Sequence, residues 1–229
     1  MPPSSPVSPA PVRRRHTTGL IIVTVLCVLV TMIALPAYLG LDPAEAQIGL
    51  RESGLHYPAL VLHVGTSVLA LLTAPLQLWP ALRRRGAHRV IGRIHLFAGV
   101  FPGAVSGMVL AVLSTAGPVA QTGFGLLSVL WFTTAAAGWR AIRQGRVADH
   151  REWMVRVFSL TMAGVMLRVL VPLATAVLPL MLGPGVDEEA AFTLAYPAIA
   201  WLCWVPNLLV AELVLRRRPR PAAVAAAAR

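Results

Sequence analysis

The chain has 229 residues, of which 57% are hydrophobic and only 13% are charged, and its mean hydropathy is +0.71. This composition excludes an ordinary soluble domain and indicates an integral membrane protein, so the net charge of +11 does not point to a nucleic-acid partner. The only two cysteines, Cys27 and Cys203, lie in apolar segments, which excludes a disulfide framework.

Six apolar segments are long enough to cross a hydrocarbon core of roughly 30 Å as α-helices. They comprise residues 20–39, 58–79, 94–114, 123–142, 157–182 and 192–215. The first follows three arginines, as a secretory signal would, but it is long for a signal core and no clean small-x-small cleavage site follows near Leu35-Pro36-Ala37. We therefore predict an all-α bundle of six transmembrane helices within residues 19–215, flanked by disordered tails at 1–18 and 216–229.

Arginine is distributed asymmetrically along the chain. All twenty basic residues are arginine, and eighteen of them fall in clusters at residues 13–15, 83–93, 140–156 and 216–229. Six crossings place these clusters on one side of the membrane, which the positive-inside rule makes the cytoplasm. We predict a bacterial inner-membrane protein with both termini cytoplasmic, whose arginines contact anionic lipid head groups.

Three glycines recur at four-residue spacing in helix 3. Gly99, Gly103 and Gly107 leave one face of this helix without side chains, so that either another helix or a flat cofactor can approach its backbone closely.

The two basic hairpins resemble each other when they are aligned on Trp79 and Trp139. Both read Trp-x-Ala-(Leu or Ile)-Arg, and both then reach a His-Arg pair, at His88 and His150. This similarity predicts that helices 2 and 3 and helices 4 and 5 form a parallel repeat about an axis along the membrane normal. In the second hairpin, Asp149 and Glu152 match a capping box, which would begin helix 5 at Asp149.

The first candidate site lies at the predicted cytoplasmic face. Neutral imidazole is the usual axial ligand of haem iron, and arginines can neutralise haem propionates. A haem b would take His88 and His150 as ligands, and a quinone would use a similar set of side chains. The residues of this site are His88, His150, His95, Arg89, Arg93, Arg151 and Arg156. The alternative is that they anchor lipid head groups and fix topology, and no other metal site is predicted.

The second candidate site is intramembrane and consists of His63 on helix 2 and Arg168 on helix 5. An arginine at such depth costs about 2.5 kcal/mol or more on insertion scales, so it should face the bundle interior or snorkel outward. We see no carboxylate within the predicted spans that would neutralise Arg168. The pair is a candidate anion or proton site.

Several familiar chemistries have no motif here, among them structural zinc clusters, P-loops and GxSxG elbows. The leading hypothesis is therefore membrane-embedded binding of a small cofactor, haem b or quinone, near the cytoplasmic face. The alternatives are a small-molecule or proton-linked transporter that uses His63 and Arg168, and a non-catalytic membrane scaffold. A homo-oligomer is compatible with each of these functions. We do not favour an enzymatic function for this protein. If it is an enzyme, it would be a membrane redox protein.

The segment from His63 to Arg168 resembles a bacterial family of multi-pass membrane proteins, domain of unknown function 2306. The likeness rests on short polar pieces: His63 with Gly65, Pro75-Leu76-Gln77, Arg83 to Arg85, His88-Arg89, Gly92-Arg93, His150-Arg151, Trp153-Met154, Arg156 and Arg168. The sequence departs from the family at His95, where a tyrosine is expected. The resemblance implies a membrane location and a shared polar constellation, without a known reaction.

Overall fold

The computed structural model describes residues 12–46, 49, 53–84, 86–183 and 185–217, and within them every regular element is helical. Of the predicted disordered tails, residues 1–11 and 218–229 lie outside the described residues, whereas residues 12–18 begin the first helix and Arg216 ends the last. The α-helices are α1 Val12–Ala34, α2 His56–Leu76, α3 Pro80–Arg84, α4 Ala87–Arg93, α5 Phe101–Leu113, α6 Gly117–Arg143, α7 Val147–Thr161, α8 Ala163–Leu182, α9 Glu188–Leu202 and α10 Val205–Arg216. A π-helical segment, Ile94–Val100, joins α4 to α5.

These elements make six spans of membrane length, as the hydropathy predicted. The spans are Thr17–Tyr38, His56–Leu76, Ala87–Leu113, Gly117–Arg143, Val147–Leu182 and Glu188–Arg216. All six begin earlier than the predicted apolar segments, because polar residues at a membrane boundary can continue a helix. Consecutive spans alternate in direction, so residues 80–84, 86–93 and 140–156 lie at one end of the bundle, here called the arginine end. The opposite end is called the distal end.

The second and third spans pack against each other in antiparallel register. A Cβ atom at Gly99 would lie 3.0 Å from the Ala70 backbone, and one at Gly103 would lie 3.3 Å from Thr66 Oγ1. At these two positions the glycine stripe therefore serves close helix packing. The π-helical segment lies in the same interface, where the N–H of Phe101 donates to the carbonyl oxygen of Leu96, five residues back. Pro102 follows directly and has no N–H to donate.

The main apolar core is formed by residues of the second to sixth spans, while α1 and the second half of α8 are peripheral. Its buried residues are Ala70, Leu96, Val100, Ala104, Trp131, Ala135, Val157, Leu160, Ala163, Cys203 and Trp204. In α8 the buried residues are Ala163 and Val165, and Leu180 is 86% exposed. Apolar side chains turned outward on a span are suited to contact with lipid.

The fifth and sixth spans are both interrupted. Met162 separates α7 from α8, and Cys203 and Trp204 separate α9 from α10. Pro206 contributes to the second interruption, because it cannot donate a backbone hydrogen bond. The amide of Asn207 spans the break by donating to the carbonyl oxygen of Cys203 at 3.0 Å.

The predicted capping box at Asp149 and Glu152 is wrong. Helix α7 begins at Val147, its N-cap Arg146 makes no side-chain cap, and the carboxylate of Asp149 pairs with the Arg146 guanidinium. This charge-assisted contact takes the carboxylate that the capping box required. His150 nevertheless lies in the first turn of α7, where its N–H donates to the carbonyl oxygen of Arg146 at 3.0 Å.

Candidate ligand-binding site

A cavity of about 260 Å³ lies inside the bundle, with wall residues from all six spans. Ser114, Thr115 and Ala116, between α5 and α6, continue it toward the distal end. Most of the wall is apolar. Its polar side chains within the helices include Thr31, His56, His63, Ser67, Ser128, Thr161, Arg168 and Tyr196. Both residues of the second predicted site therefore line the same cavity.

His63 is held in the cavity wall by the backbone of the third span. Its Nδ1 lies 2.9 Å from the carbonyl oxygen of Gly103, and its Nε2 lies 3.4 Å from Ser67 Oγ. A carbonyl oxygen can only accept, so Nδ1 carries a proton. In the neutral imidazole Nε2 is then the acceptor, and the ring orientation is fixed from both sides.

Gly107 allows His63 and Ser128 to approach each other. A Cβ atom at Gly107 would lie 3.0 Å from both the Cε1 of His63 and the Oγ of Ser128. Ser128 is 7% exposed and lines the cavity, and its hydroxyl has no hydrogen-bond partner within the described part of the chain. Trp131, three residues later on α6, closes the wall by donating from Nε1 to Thr161 Oγ1 at 3.0 Å.

Arg168 brings a permanent positive charge to the cavity wall. It lies on one face of α8 with Gly164 and Leu167, fourteen residues before Leu182 and therefore about 21 Å from that end of the helix. It is within electrostatic range of both His63 and Tyr196.

Among the described residues, the buried nitrogen of the Arg168 guanidinium has no hydrogen-bond partner. Nε is buried without a hydrogen-bond acceptor, and the two ion pairs among the described residues, Arg146–Asp149 and Arg156–Glu212, do not include Arg168. A buried polar group left unsatisfied costs about 1–3 kcal/mol, and more when it is charged. Such a group in a cavity wall is a ready recognition element.

Aromatic rings form the side of the cavity near Tyr196. The centroid of the Tyr196 ring lies 4.6 Å from that of Phe192 and 5.6 Å from that of Phe124, and all three residues belong to the wall. This surface suits a flat apolar group, which can pack against ring faces and edges.

The histidines of the first predicted site are each engaged within their own hairpin. His150 Nδ1 donates to the carbonyl oxygen of Gly138 at 2.9 Å. The side-chain amide of Gln77 is oriented so that its nitrogen and its oxygen both form hydrogen bonds. The nitrogen donates to His88 Nδ1 at 2.8 Å, and the oxygen accepts from the Gly92 N–H at 3.0 Å. His95 is 2% exposed, and its Nδ1 lies 2.9 Å from Thr73 Oγ1.

These contacts bear on the haem hypothesis. An imidazole that accepts at Nδ1 carries its proton on Nε2 when neutral, which leaves no lone pair there for iron. His88 has this arrangement, whereas the donating Nδ1 of His150 leaves Nε2 available as a ligand. Haem ligation by the pair stays a prediction from the sequence.

The arginines named for the first site have different surroundings. Arg89, Arg93 and Arg151 are exposed at the arginine end. Arg156 is half-buried: its Nε and Nη2 lie 2.5 and 3.0 Å from the Glu212 carboxylate, and its guanidinium lies 4.7 Å from the centre of the Trp153 ring. Arg156 therefore joins α7 to α10 and already has an anionic partner.

Two polar residues of the cavity, His63 and Arg168, were predicted from the sequence, and other polar residues of its wall were not. Ser128 lies in an apolar span with no motif around it, and Tyr38 and Tyr196 have the spacing of ordinary interfacial anchors. Each of these three hydroxyls lines the cavity. The repeat of the two hairpins stays a prediction, although His88 and His150 both reach back to residues just before the aligned tryptophans.

The chain matched no curated protein and no solved structure. A family model described as a predicted membrane protein, DUF2306, matches residues 60–215. The matched region runs from the second span to the end of the sixth and contains His63, Gly107 and Arg168. The resemblance based on the spaced polar pieces is confirmed: this chain belongs to the DUF2306 family of predicted membrane proteins.

Proposed function

We propose that this protein binds a small amphiphilic molecule in the cavity lined by His63 and Arg168. One observation carries the proposal: the apolar cavity contains a guanidinium whose buried nitrogen has no acceptor in the described part of the chain. Binding sites for small molecules are typically concave and mostly apolar, with a few polar groups that orient the ligand. The wall described above has this composition.

The size of the cavity limits the ligand. Its volume of about 260 Å³ is slightly below the range of roughly 300–1,000 Å³ for small-molecule sites, which indicates a small ligand. The aromatic surface around Tyr196 would hold the apolar part of the ligand, and Arg168 would bind the polar part. The ligand would enter from the distal end, where loop residues continue the wall.

Gly164 offers a way to fill the cavity without disturbing the helix packing. It lines the cavity, and a Cβ atom there would have no neighbour within 4 Å. Gly65 on α2 also has open space at its Cβ but is outside the cavity wall. Gly164→Phe should therefore occupy the site, and Gly65→Phe is the matched control.

Four radiolabelled probes that share one aromatic body test the proposal: cinnamate, cinnamamide, cinnamyl phosphate and cinnamyl ammonium. Binding is measured by scintillation proximity on full-length protein in lipid nanodiscs, with empty nanodiscs as background. We expect saturable binding of at least one probe to the parent chain and to Gly65→Phe, and loss of that binding in Gly164→Phe. Absence of saturable binding for all four probes, or equal binding to Gly164→Phe, would contradict the proposal.

A carrier function is a second candidate, favoured by the interruptions of the fifth and sixth spans beside the cavity. Ala163, Gly164 and Cys203, which flank or lie within these interruptions, belong to the cavity wall. Carriers commonly place their substrate sites at discontinuous helices, where backbone rearrangement can open alternate sides. Uptake of the bound probe into reconstituted vesicles, faster than in Gly164→Phe vesicles, would support transport, and equal uptake would contradict it.

We further propose that the arginine end faces the cytoplasm of a bacterial inner membrane. The exposed side chains of Arg89, Arg93 and Arg151 support this orientation, because basic residues are retained on the cytoplasmic side. There they would contact anionic lipid head groups.

A further inference from the structure

We infer that the molecule bound in the cavity carries a carboxylate, which pairs with Arg168 while an apolar body fills the rest of the site. The inference rests on the proposed binding function and adds the chemical class of the ligand. It depends on the charges, the hydrogen-bond donors and the shape of the cavity wall.

The charges of the wall indicate a monoanion. Among the described wall residues, Arg168 is the one arginine, and aspartate and glutamate do not occur. A neutral ligand would leave the guanidinium charge without a counter-ion, and an ammonium ligand would be repelled by it. A phosphate dianion would carry more charge than one arginine balances.

The hydrogen-bonding groups of the wall match a carboxylate as well. A guanidinium presents its N–H groups in a planar fork that fits the two oxygens of a carboxylate, and the unsatisfied Nε of Arg168 belongs to this fork. The hydroxyls of Ser128 and Tyr196 also lack partners within the described residues and can donate. Arg168, Ser128 and Tyr196 thus provide hydrogen-bond donors within one cavity for the oxygens of a carboxylate.

The side chains around Arg168 indicate where the carboxylate and the apolar body of the ligand would lie. Arg168 lies within electrostatic range of Tyr196, which stands in the aromatic patch, and of His63, which is fixed by the Gly103 carbonyl. A carboxylate at Arg168 therefore has the Phe192 and Phe124 rings on the side of Tyr196 for its apolar body. An aromatic or short branched acid has this combination of parts.

The probe set described above tests this inference with two substitutions of Arg168. For the parent chain we expect cinnamate to bind about tenfold or more tightly than cinnamamide, and also more tightly than the phosphate and the ammonium probes. Arg168→Gln keeps an amide donor without charge, so the preference for cinnamate over cinnamamide should fall to about twofold or less. Arg168→Lys keeps the charge without the fork and should retain part of the preference.

The outcomes separate this inference from the proposed function. If cinnamamide, the phosphate or the ammonium probe binds as tightly as cinnamate and is still excluded by Gly164→Phe, the carboxylate assignment is overturned and the binding function stands. If all four probes fail to bind, the binding function itself falls. Should either Arg168 variant not yield folded protein, the ranking of the four probes on the parent chain decides the question.

Discussion

His63 on the second span donates a hydrogen bond of 2.9 Å from Nδ1 to the carbonyl oxygen of Gly103 on the third span. This contact joins two spans within an apolar interface and orients the imidazole toward the cavity.

Two substitutions of His63 should separate the stability that comes from its Nδ1–H donor from the stability that comes from the rest of the imidazole ring. His63→Leu leaves the Gly103 carbonyl oxygen with only the Ser106 hydroxyl as a side-chain donor, and we expect destabilisation of about 1–2 kcal/mol. In His63→Asn the amide nitrogen can take the place of Nδ1, so this variant should lose less stability than His63→Leu. Thermal unfolding in detergent measures both, and equal stability of His63→Leu and the parent chain would contradict the structural role.

Gly99 and Gly65 should respond oppositely to the same substitution. Gly99→Ala places a Cβ atom 3.0 Å from the Ala70 backbone, which cannot move aside as a side chain does, so the second and third spans must separate. Overpacking of this kind costs about 1–3 kcal/mol. Gly65→Ala meets nothing within 4 Å and should stabilise the helix by up to about 1 kcal/mol. A pair of melting curves that shift equally would show that Gly99 does not hold the two spans together.

Glu212 and Arg156 should be energetically coupled, because their two contacts of 2.5 and 3.0 Å join α10 to α7. The side chains are only 32% and 19% exposed. Glu212→Gln or Arg156→Leu leaves the other charge in a half-buried place, and we expect each to cost about 1–2 kcal/mol. A double-mutant cycle should give a coupling of about 1 kcal/mol, and additive losses would mean that the pair does not stabilise the bundle.

An absorption spectrum separates the haem hypothesis from the cavity proposal. We expect protein purified from haem-replete cells to show no Soret band, because the Gln77 amide occupies the Nδ1 acceptor of His88 and leaves a proton on Nε2. A Soret band that is lost in both His150→Ala and His88→Ala would instead establish the predicted haem site at the arginine end.

The orientation of the bundle is testable with reporter fusions at the C-terminus. If the arginine end is cytoplasmic, a fused green fluorescent protein should fluoresce and a fused alkaline phosphatase should be inactive, because each folds productively on one side of a bacterial inner membrane. Active phosphatase would reverse the proposed orientation and would place the cavity opening toward the cytoplasm.

The six spans, and the placement of the arginine clusters at one end of the bundle, were predictable from the sequence, because hydropathy and charge act over short stretches of chain. Whether a run of residues can lie in lipid depends on its own side chains and needs no knowledge of neighbouring helices. The start of α7 was mispredicted by a similarly local pattern, since Arg146 competes for the Asp149 carboxylate that the pattern assigns to a cap.

Which residues line the cavity is determined only by the tertiary structure. His63 and Arg168 are separated by more than a hundred residues, and only the packing of the second span against the third, and of α8 beside α9, turns both toward one space with Ser128 and Tyr196. The rotation of a helix that is apolar on all sides cannot be read from its own sequence, because every face is equally suited to lipid. It is set by where glycines such as Gly99 and Gly107 let a neighbouring helix come close.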